Sequence, residues 1–143
     1  MQQPDIRPAV LCILRKSDQL LVVEGLDTAT KQRFFRPPGG TIEFGEHSRQ
    51  TVAREMQEEL GVELVNLKQF GVIESVFTRD GRPRHDIYFI YNARFSDESF
   101  YQRDYIPILD HRDEHAVWRP LTDFYSGTAV LHPVGLLELL LTM

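Results

Sequence analysis

Residues 48–60, SRQTVAREMQEEL, constrain this chain more than any other stretch. Val52, Ala53, Met56 and Leu60 recur at the spacing of one helical face. Glu55, Glu58 and Glu59 lie away from that face at i, i+3 and i+4, where side chains are neighbours and like charges repel. Gly61 follows as a natural left-handed C-terminal cap. Upstream, PPGG at 37–40 is expected to forbid regular structure and to form a sharp turn with exposed backbone. A helix with three carboxylates on one stripe, and only Arg54 close by to offset them, has two readings. Either the face is solvated, or something cationic belongs there.

Around that helix the chain reads as strands. PAVLCIL at 8–14 is a continuous apolar run, as in a strand covered on both faces. A polar turn, KSDQ, leads to a strand at 20–25. TATKQR is a loop, RFFR at 33–36 a short strand, and TIEF at 41–44 another. Beyond the helix, strands are predicted at 62–68, 70–78 and 84–95, the last two joined by a turn at Asp80-Gly81. Residues 96–113 read as a long polar loop, a type that is often functional. AVWRPL at 116–121 is a further strand, and Pro133 is expected to open a last, leucine-rich helix through Leu141. The order of elements predicts one domain over residues 1–143, a mixed sheet flanked by helices.

Composition narrows the function. The chain has 143 residues, 42% of them hydrophobic and 26% charged, enough to bury a core without staples. Its net charge of −5 argues against stable nucleic-acid binding, which rests on basic patches. It does not argue against small anionic substrates, because a bound divalent cation inverts the local charge. Cys12 is the single cysteine, so an internal disulfide and a zinc cluster are both excluded, and its apolar setting predicts a core thiol. MQQPDIRP has no basic stretch followed by an apolar core, so no signal peptide is expected. No apolar run approaches the ~20 residues of a membrane span. A cytoplasmic protein is expected.

The full stretch from 40 to 62 is GTIEFGEHSRQTVAREMQEELGV. Gly40, Glu46, Arg54-Glu55, apolar Met56, Glu58-Glu59, Gly61 and apolar Val62 stand at fixed spacings. This resembles the Nudix box of the Nudix hydrolases at every fixed position, over 23 of the 143 residues. PPGG and WRPL also look like features of that family. The resemblance implies an α/β (α+β) fold, an α/β/α sandwich with a mixed central sheet. It implies a MutT-like enzyme that breaks a pyrophosphate bond in a nucleoside diphosphate linked to another group. The cofactor implied is Mg²⁺, with Mn²⁺ as the alternative, held by Glu55, Glu58, Glu59 and the main-chain carbonyl of Gly39.

Other roles follow with that resemblance. Arg54 cannot be a base, because its guanidinium stays charged; it is expected to pair with a box glutamate and fix its rotamer. Glu46 is either that partner, an outer ligand, or a charge favoured by the helix dipole. Glu55 is a candidate to help deprotonate water. His47 stands where the family often has a Ser or Thr cap, leaving Ser48 to take over or the cap weaker. Outside the box, Glu114 is the first candidate base and Asp113 the second, against a plain polar loop. Glu74 sits on a strand and needs a partner, or points to the metal site. Arg33, Phe35, Arg36 and Gly40 are candidate substrate contacts, the arginines through phosphate or a base edge and aromatics through stacking. The expected substrate is a small nucleotide, a nucleoside triphosphate or a relative. The leucine-rich last helix is expected to be buried against the sheet or a partner chain, and a homodimer is a candidate assembly. The competing class is a non-catalytic Nudix-fold module that senses nucleotides or binds protein, which the intact carboxylates oppose.

Overall fold

Strand β1 (Ile6–Ile13) is the axis of the molecule, because the chain from Ala9 to Leu14 is buried on both sides. The computed structural model describes residues 5–111 and 113–142. Val10, Cys12 and Leu14 join one apolar cluster, while Ala9, Leu11 and Ile13 join a second. This is the alternation a pleated strand imposes. Next in the chain come β2 (Arg15–Lys16), β3 (Gln19–Leu26), β4 (Arg33–Arg36), β5 (Gly39–Thr41) and helix α1 (Ser48–Leu60). They are followed by β6 (Leu64–Arg79), β7 (Arg82–Phe95), β8 (Tyr105–Pro107), β9 (His115–Pro120), α2 (Leu121–Tyr125) and α3 (Leu136–Leu141).

The strands form two sheets. A mixed one runs β5-β1-β7-β6, with β1 and β7 parallel and the other pairs antiparallel. In the other, antiparallel sheet, β3 pairs with β2, β4 and β9, and β8 pairs with β9. Helix α1 sends Val52, Met56 and Leu60 into the cluster that holds Val10, Cys12, Leu21 and Val23. Leu121 and Phe124 of α2 and Leu136 and Leu140 of α3 fill the cluster on the opposite face. Each large apolar side chain so buried contributes roughly 1.5–3 kcal/mol, so the two clusters clamp the sheets between helical layers. The expected α/β/α sandwich is what the chain forms. Cys12 is fully buried, and burial pushes its thiol pKa up to about 12, which suits a core role. Among the described residues, no helix is long and apolar enough to cross a membrane.

Several elements differ from the sequence reading. Gly39 and Gly40 are not a turn; they form β5 with Thr41, opposite Leu11 and Val10. A Cβ on Gly39 would collide with the Val10 carbonyl, so glycine is required by a close strand approach rather than a bend. The predicted strand at 41–44 gives way to a turn closed by the Glu46 N–H on the Glu43 carbonyl. The strands at 62–68 and 70–78 are one strand, β6, with irregularities at Val65/Lys68 and Gln69/Gly71 that absorb the broken alternation. Ala53 is exposed rather than part of the buried face of α1. The polar stretch after β7 is ordered: a 3₁₀ helix (Glu98–Gln102) and β8 lie within it, and Tyr101 packs on Phe95 and Trp118. The last helix starts at Leu136, three residues beyond Pro133, and the one-turn α2 is too short to show a period.

Candidate active site

Helix α1 begins with His47 as its N-cap residue, whose N–H donates to the Gln50 side chain at 2.8 Å. Ser48 does not take over the cap; its hydroxyl meets the Tyr91 hydroxyl at 2.6 Å and ties the helix start to β7. Gly61 ends the helix at φ 68°, as expected of a left-handed cap.

Arg54 organises the carboxylates. It donates to both Glu46 oxygens at 2.8 and 2.9 Å, to Glu55 at 2.9 Å, to Glu58 at 3.2 Å, and to the Thr41 carbonyl at 3.2 Å. The pairing with Glu46 is a fork on a carboxylate, the strongest geometry open to a guanidinium. Hydrogen bonds from Arg54, then from Thr51, hold the Glu46 carboxyl down at about 2. Glu55 and Glu59 go the other way. Burial raises the Glu55 carboxyl against the pull of Arg54. Burial also pushes Glu59 up to about 7, with Arg36 opposing and Glu55, Asp110 and Glu58 adding to the rise.

The Gly39–Gly40 backbone lies beside the glutamates as part of strand β5, not of the expected turn. A Cβ on Gly40 would collide with the Glu55 carboxylate, so the bare glycine is the floor on which that carboxylate rests. Gly39, Gly40, Glu59, Arg36 and Tyr88 line one cleft of about 190 Å³ that also reaches Arg7 and β1. Here Arg36 and Gly40 come together with the box.

The remaining candidates lie elsewhere. Arg33 is exposed and pairs with Glu24 at 3.0 Å, in a separate cleft that also holds Glu114 and Asp113. Phe35 packs edge-on against Phe124, with Arg119 over its ring, in the second core cluster. Glu74 is exposed on β6, with its neighbour Ser75 turned inward. Sequence reasoning passed over Asp110, which stands near enough to Glu55 and Glu59 for its charge to raise both. It also passed over His132 and Arg79, which close a second cavity next to the cleft.

Among the described residues, no three His, Cys, Asp or Glu side chains are gathered into a ready-made metal site. The donor chemistry nevertheless fits a hard divalent cation. Glu55, Glu58 and Glu59 and the Gly39 carbonyl are all oxygen donors, the set Mg²⁺ takes, and the Glu55 carboxylate occupies a cradle that a Cβ would fill.

The NUDIX domain family model matches residues 5–137. The chain belongs to the NUDIX domain family. Solved Nudix structures share its fold. One is a NUDIX hydrolase from Nitrosomonas europaea, with a TM-score of 0.66 at 17% identity over 95% of this chain and 86% of that one. Another is a MutT NUDIX hydrolase from Burkholderia pseudomallei, with a TM-score of 0.61 at 22% identity over 85% of this chain and 86% of that one. A curated relative, the NAD-capped RNA hydrolase NudC of Photobacterium profundum, is 33% identical over 69 residues, 48% of this chain and 25% of that protein. The match thus spans about a quarter of the length of that relative.

Proposed function

We propose that this Nudix chain hydrolyses a pyrophosphate bond in a nucleoside diphosphate linked to another group, with a divalent cation, Mg²⁺ first and Mn²⁺ second. The observation that supports this best is the cleft itself. Glu59, the Gly39–Gly40 backbone and Arg36 meet in one recess, with Glu55 resting on Gly40. An acidic ridge alone would repel a polyphosphate; beside Arg36, and once cations are bound, it recognises one.

Glu58, Glu59, Glu55 and the Gly39 carbonyl are the groups that would hold the ion. When bound, the ion neutralises charge on the phosphate oxygens and lowers the pKa of the attacking water. Arg54 keeps Glu55 and Glu46 in place by the fork described above. Arg36 faces Glu59 across the cleft and is placed for a phosphate oxygen. Water adds to one phosphorus, the bridging P–O bond breaks, and its electron pair leaves with the departing phosphate. The water proton passes to a carboxylate. Asp110 takes that role better than Glu114, which lies in the other cleft with Arg33.

Nucleoside triphosphates, dinucleotides such as NADH and nucleotide sugars, each tested with MgCl₂ and then with chelator, identify the reaction. Chelator-sensitive release of two phosphate-bearing products is expected, and no hydrolysis of any member by folded protein would sink the proposal. Glu58→Gln is expected to lower turnover by roughly 10²-fold or more with the melting temperature kept or raised, since Glu58 is more than half exposed and the change relieves repulsion. Asp110→Asn is expected to lower kcat by ~10²-fold and Glu114→Gln to leave it within about twofold. The reverse order would return the base to Glu114.

A further inference from the structure

Next to the cleft, and sharing Arg7, Arg36 and Tyr88 with it, is a second cavity of about 120 Å³ closed by Phe34, Arg79, Arg84, Asp86 and His132. Four arginines line it against one aspartate, in a chain whose net charge is −5. Arg7 is spoken for, with a two-pronged contact to Asp86 at 3.2 and 3.1 Å and a bond to the Thr41 hydroxyl. The other three are less fully engaged. Among the described residues, the Arg36 side chain has a single hydrogen bond, to the Pro37 carbonyl at 3.3 Å. Arg84 comes no closer to Asp86 than 3.8 Å.

Arg79 is the more buried of the pair it forms with Arg84, its side chain 15% exposed against 42%. Among the described residues, its Nε and Nη1 are buried without a hydrogen-bond partner. Asp27 stands 4.0 Å from Nε, too far for a hydrogen bond, and its Oδ1 is engaged by the Ala29 and Thr30 N–H groups. Burial pulls the Arg79 pKa below its usual value, while the group stays charged. An under-compensated buried cation is costly unless something offsets it. The position of Arg79 is nonetheless fixed. The guanidinium lies 3.5 Å above the Phe34 ring, and that ring lies across Gly25, where a Cβ would strike it. Nη2 donates to His132 Nδ1 at 3.3 Å, His132 Nε2 donates to the Tyr88 hydroxyl at 3.2 Å, and Tyr88 donates to Asp86 at 2.8 Å. This assignment satisfies every group in the chain with one tautomer of His132, and burial beside Arg79 keeps that ring neutral, its pKa pushed down to about 4.

These aromatic faces offer a nucleobase little. Phe34 is covered by Arg79, and Phe77 has His132 edge-on at 4.5 Å. At about 120 Å³ the cavity is also smaller than the ~300–1,000 Å³ of a site that encloses a whole small molecule. It fits one compact anionic group at the end of a ligand whose diphosphate lies in the neighbouring cleft.

We infer that this cavity is an anion subsite in which Arg79 and Arg84, with Arg36 on the boundary it shares with the diphosphate cleft, bind a phosphate monoester carried by the substrate in addition to its diphosphate. A planar fork of donors suits a tetrahedral phosphate. The inference rests on the pyrophosphohydrolase reading for its substrate, but its binding test does not. Inorganic phosphate, titrated calorimetrically into metal-free protein with chelator present, is expected to bind at one saturable site. Arg79→Met and Arg84→Gln are each expected to weaken that binding tenfold or more. Arg94→Met, at a surface arginine paired with Glu98, should leave it unchanged. Arg84 is 42% exposed, so its variant keeps the test valid should the Arg79 variant fail to fold. With Mg²⁺, the phosphorylated member of each matched pair, NADPH over NADH and coenzyme A over dephospho-coenzyme A, is expected to gain at least tenfold in kcat/KM, and Arg79→Met to erase the gain. No saturable phosphate binding, binding by both arginine variants as tight as the parent's, or tighter binding of acetate than of phosphate would each overturn the subsite. Phosphate binding without hydrolysis of any diphosphate would leave the subsite standing and overturn the function proposed above.

Discussion

Gly39 and Gly40 are neighbours on β5, and neither has room for a Cβ, yet the obstacles differ. For Gly39 the obstacle is the Val10 carbonyl, a part of the backbone that cannot move without opening β1 from β5. For Gly40 it is the far end of the Glu55 side chain, which can swing away. Gly39→Ala is therefore expected to cost about 1–3 kcal/mol as an overpacked strand, lowering the melting temperature by several degrees. Gly40→Ala is expected to leave stability within ~1 kcal/mol and to lower kcat/KM at least tenfold, because Glu55 leaves its rest. Calorimetry and a hydrolysis assay on the two variants separate these effects. Full activity in Gly40→Ala would show that the resting place of Glu55 is immaterial. The chemical types here were legible in the sequence because box spacing along one helix is a local property. That both glycines belong to a strand was not, since a close approach to β1 leaves no mark in residues 37–40 themselves.

At the scale of elements, Arg54 is the tie between α1 and the segment that leads into it. It bridges the Thr41 carbonyl, Glu46, Glu55 and Glu58 in one fan of donors. A lysine ammonium keeps the charge but cannot span that set. With Arg54→Met, the Glu46 carboxyl is expected to rise from about 2 towards its ordinary value of 4.5, with Arg54→Lys between the two. Carboxyl-detected NMR titration reads this directly. A Glu46 value unmoved in Arg54→Met would assign its depression to Thr51, which donates to it at 2.7 Å. The same scale explains which site residues the sequence hid. RFFR drew notice to Arg33, Phe35 and Arg36, but the pleat of β4 divides them. Phe34 and Arg36 line the second cavity, while Arg33 goes to another cleft and Phe35 to the core. His132 arrives beside Phe34 only because its N–H bonds to the Phe35 carbonyl at 2.8 Å, and Arg79 only through the β6–β7 hairpin. Pairings across 50 or 100 residues are set by register and packing, to which local spacing is blind.

At the scale of the whole molecule, two sets of carboxylates pull stability in opposite directions along the pH axis. Asp27, Glu46, Asp80, Asp86 and Asp97 all have lowered pKa values. Their contributions are present above the unfolded values near 4 and are lost as pH falls through the native ones. Glu59 is the reverse. Its native pKa of about 7 lies above its ordinary value of 4.5, so the folded chain holds that proton more tightly than the unfolded chain does. Between those two values the native state binds more protons, the slope of stability with pH is negative, and the cost of ionising Glu59 accumulates. For a partly exposed group, that cost is on the order of 1–2 kcal/mol by pH 8. Glu59→Gln removes it. Chelated protein is therefore expected to show a melting-temperature advantage of Glu59→Gln over the parent that is absent at pH 4 and grows to several degrees by pH 8. Saturating MgCl₂ should reverse the order, because an ion that binds only the folded chain stabilises it and favours the ionised carboxylate. A constant difference across that range would mean that Glu59 is not held protonated by its surroundings. A difference that ignores Mg²⁺ would mean that Glu59 is not among the groups that hold the ion. The burial that costs stability at Glu59 is the same burial that places an oxygen donor at the floor of the cleft, beside Gly39 and across from Arg36.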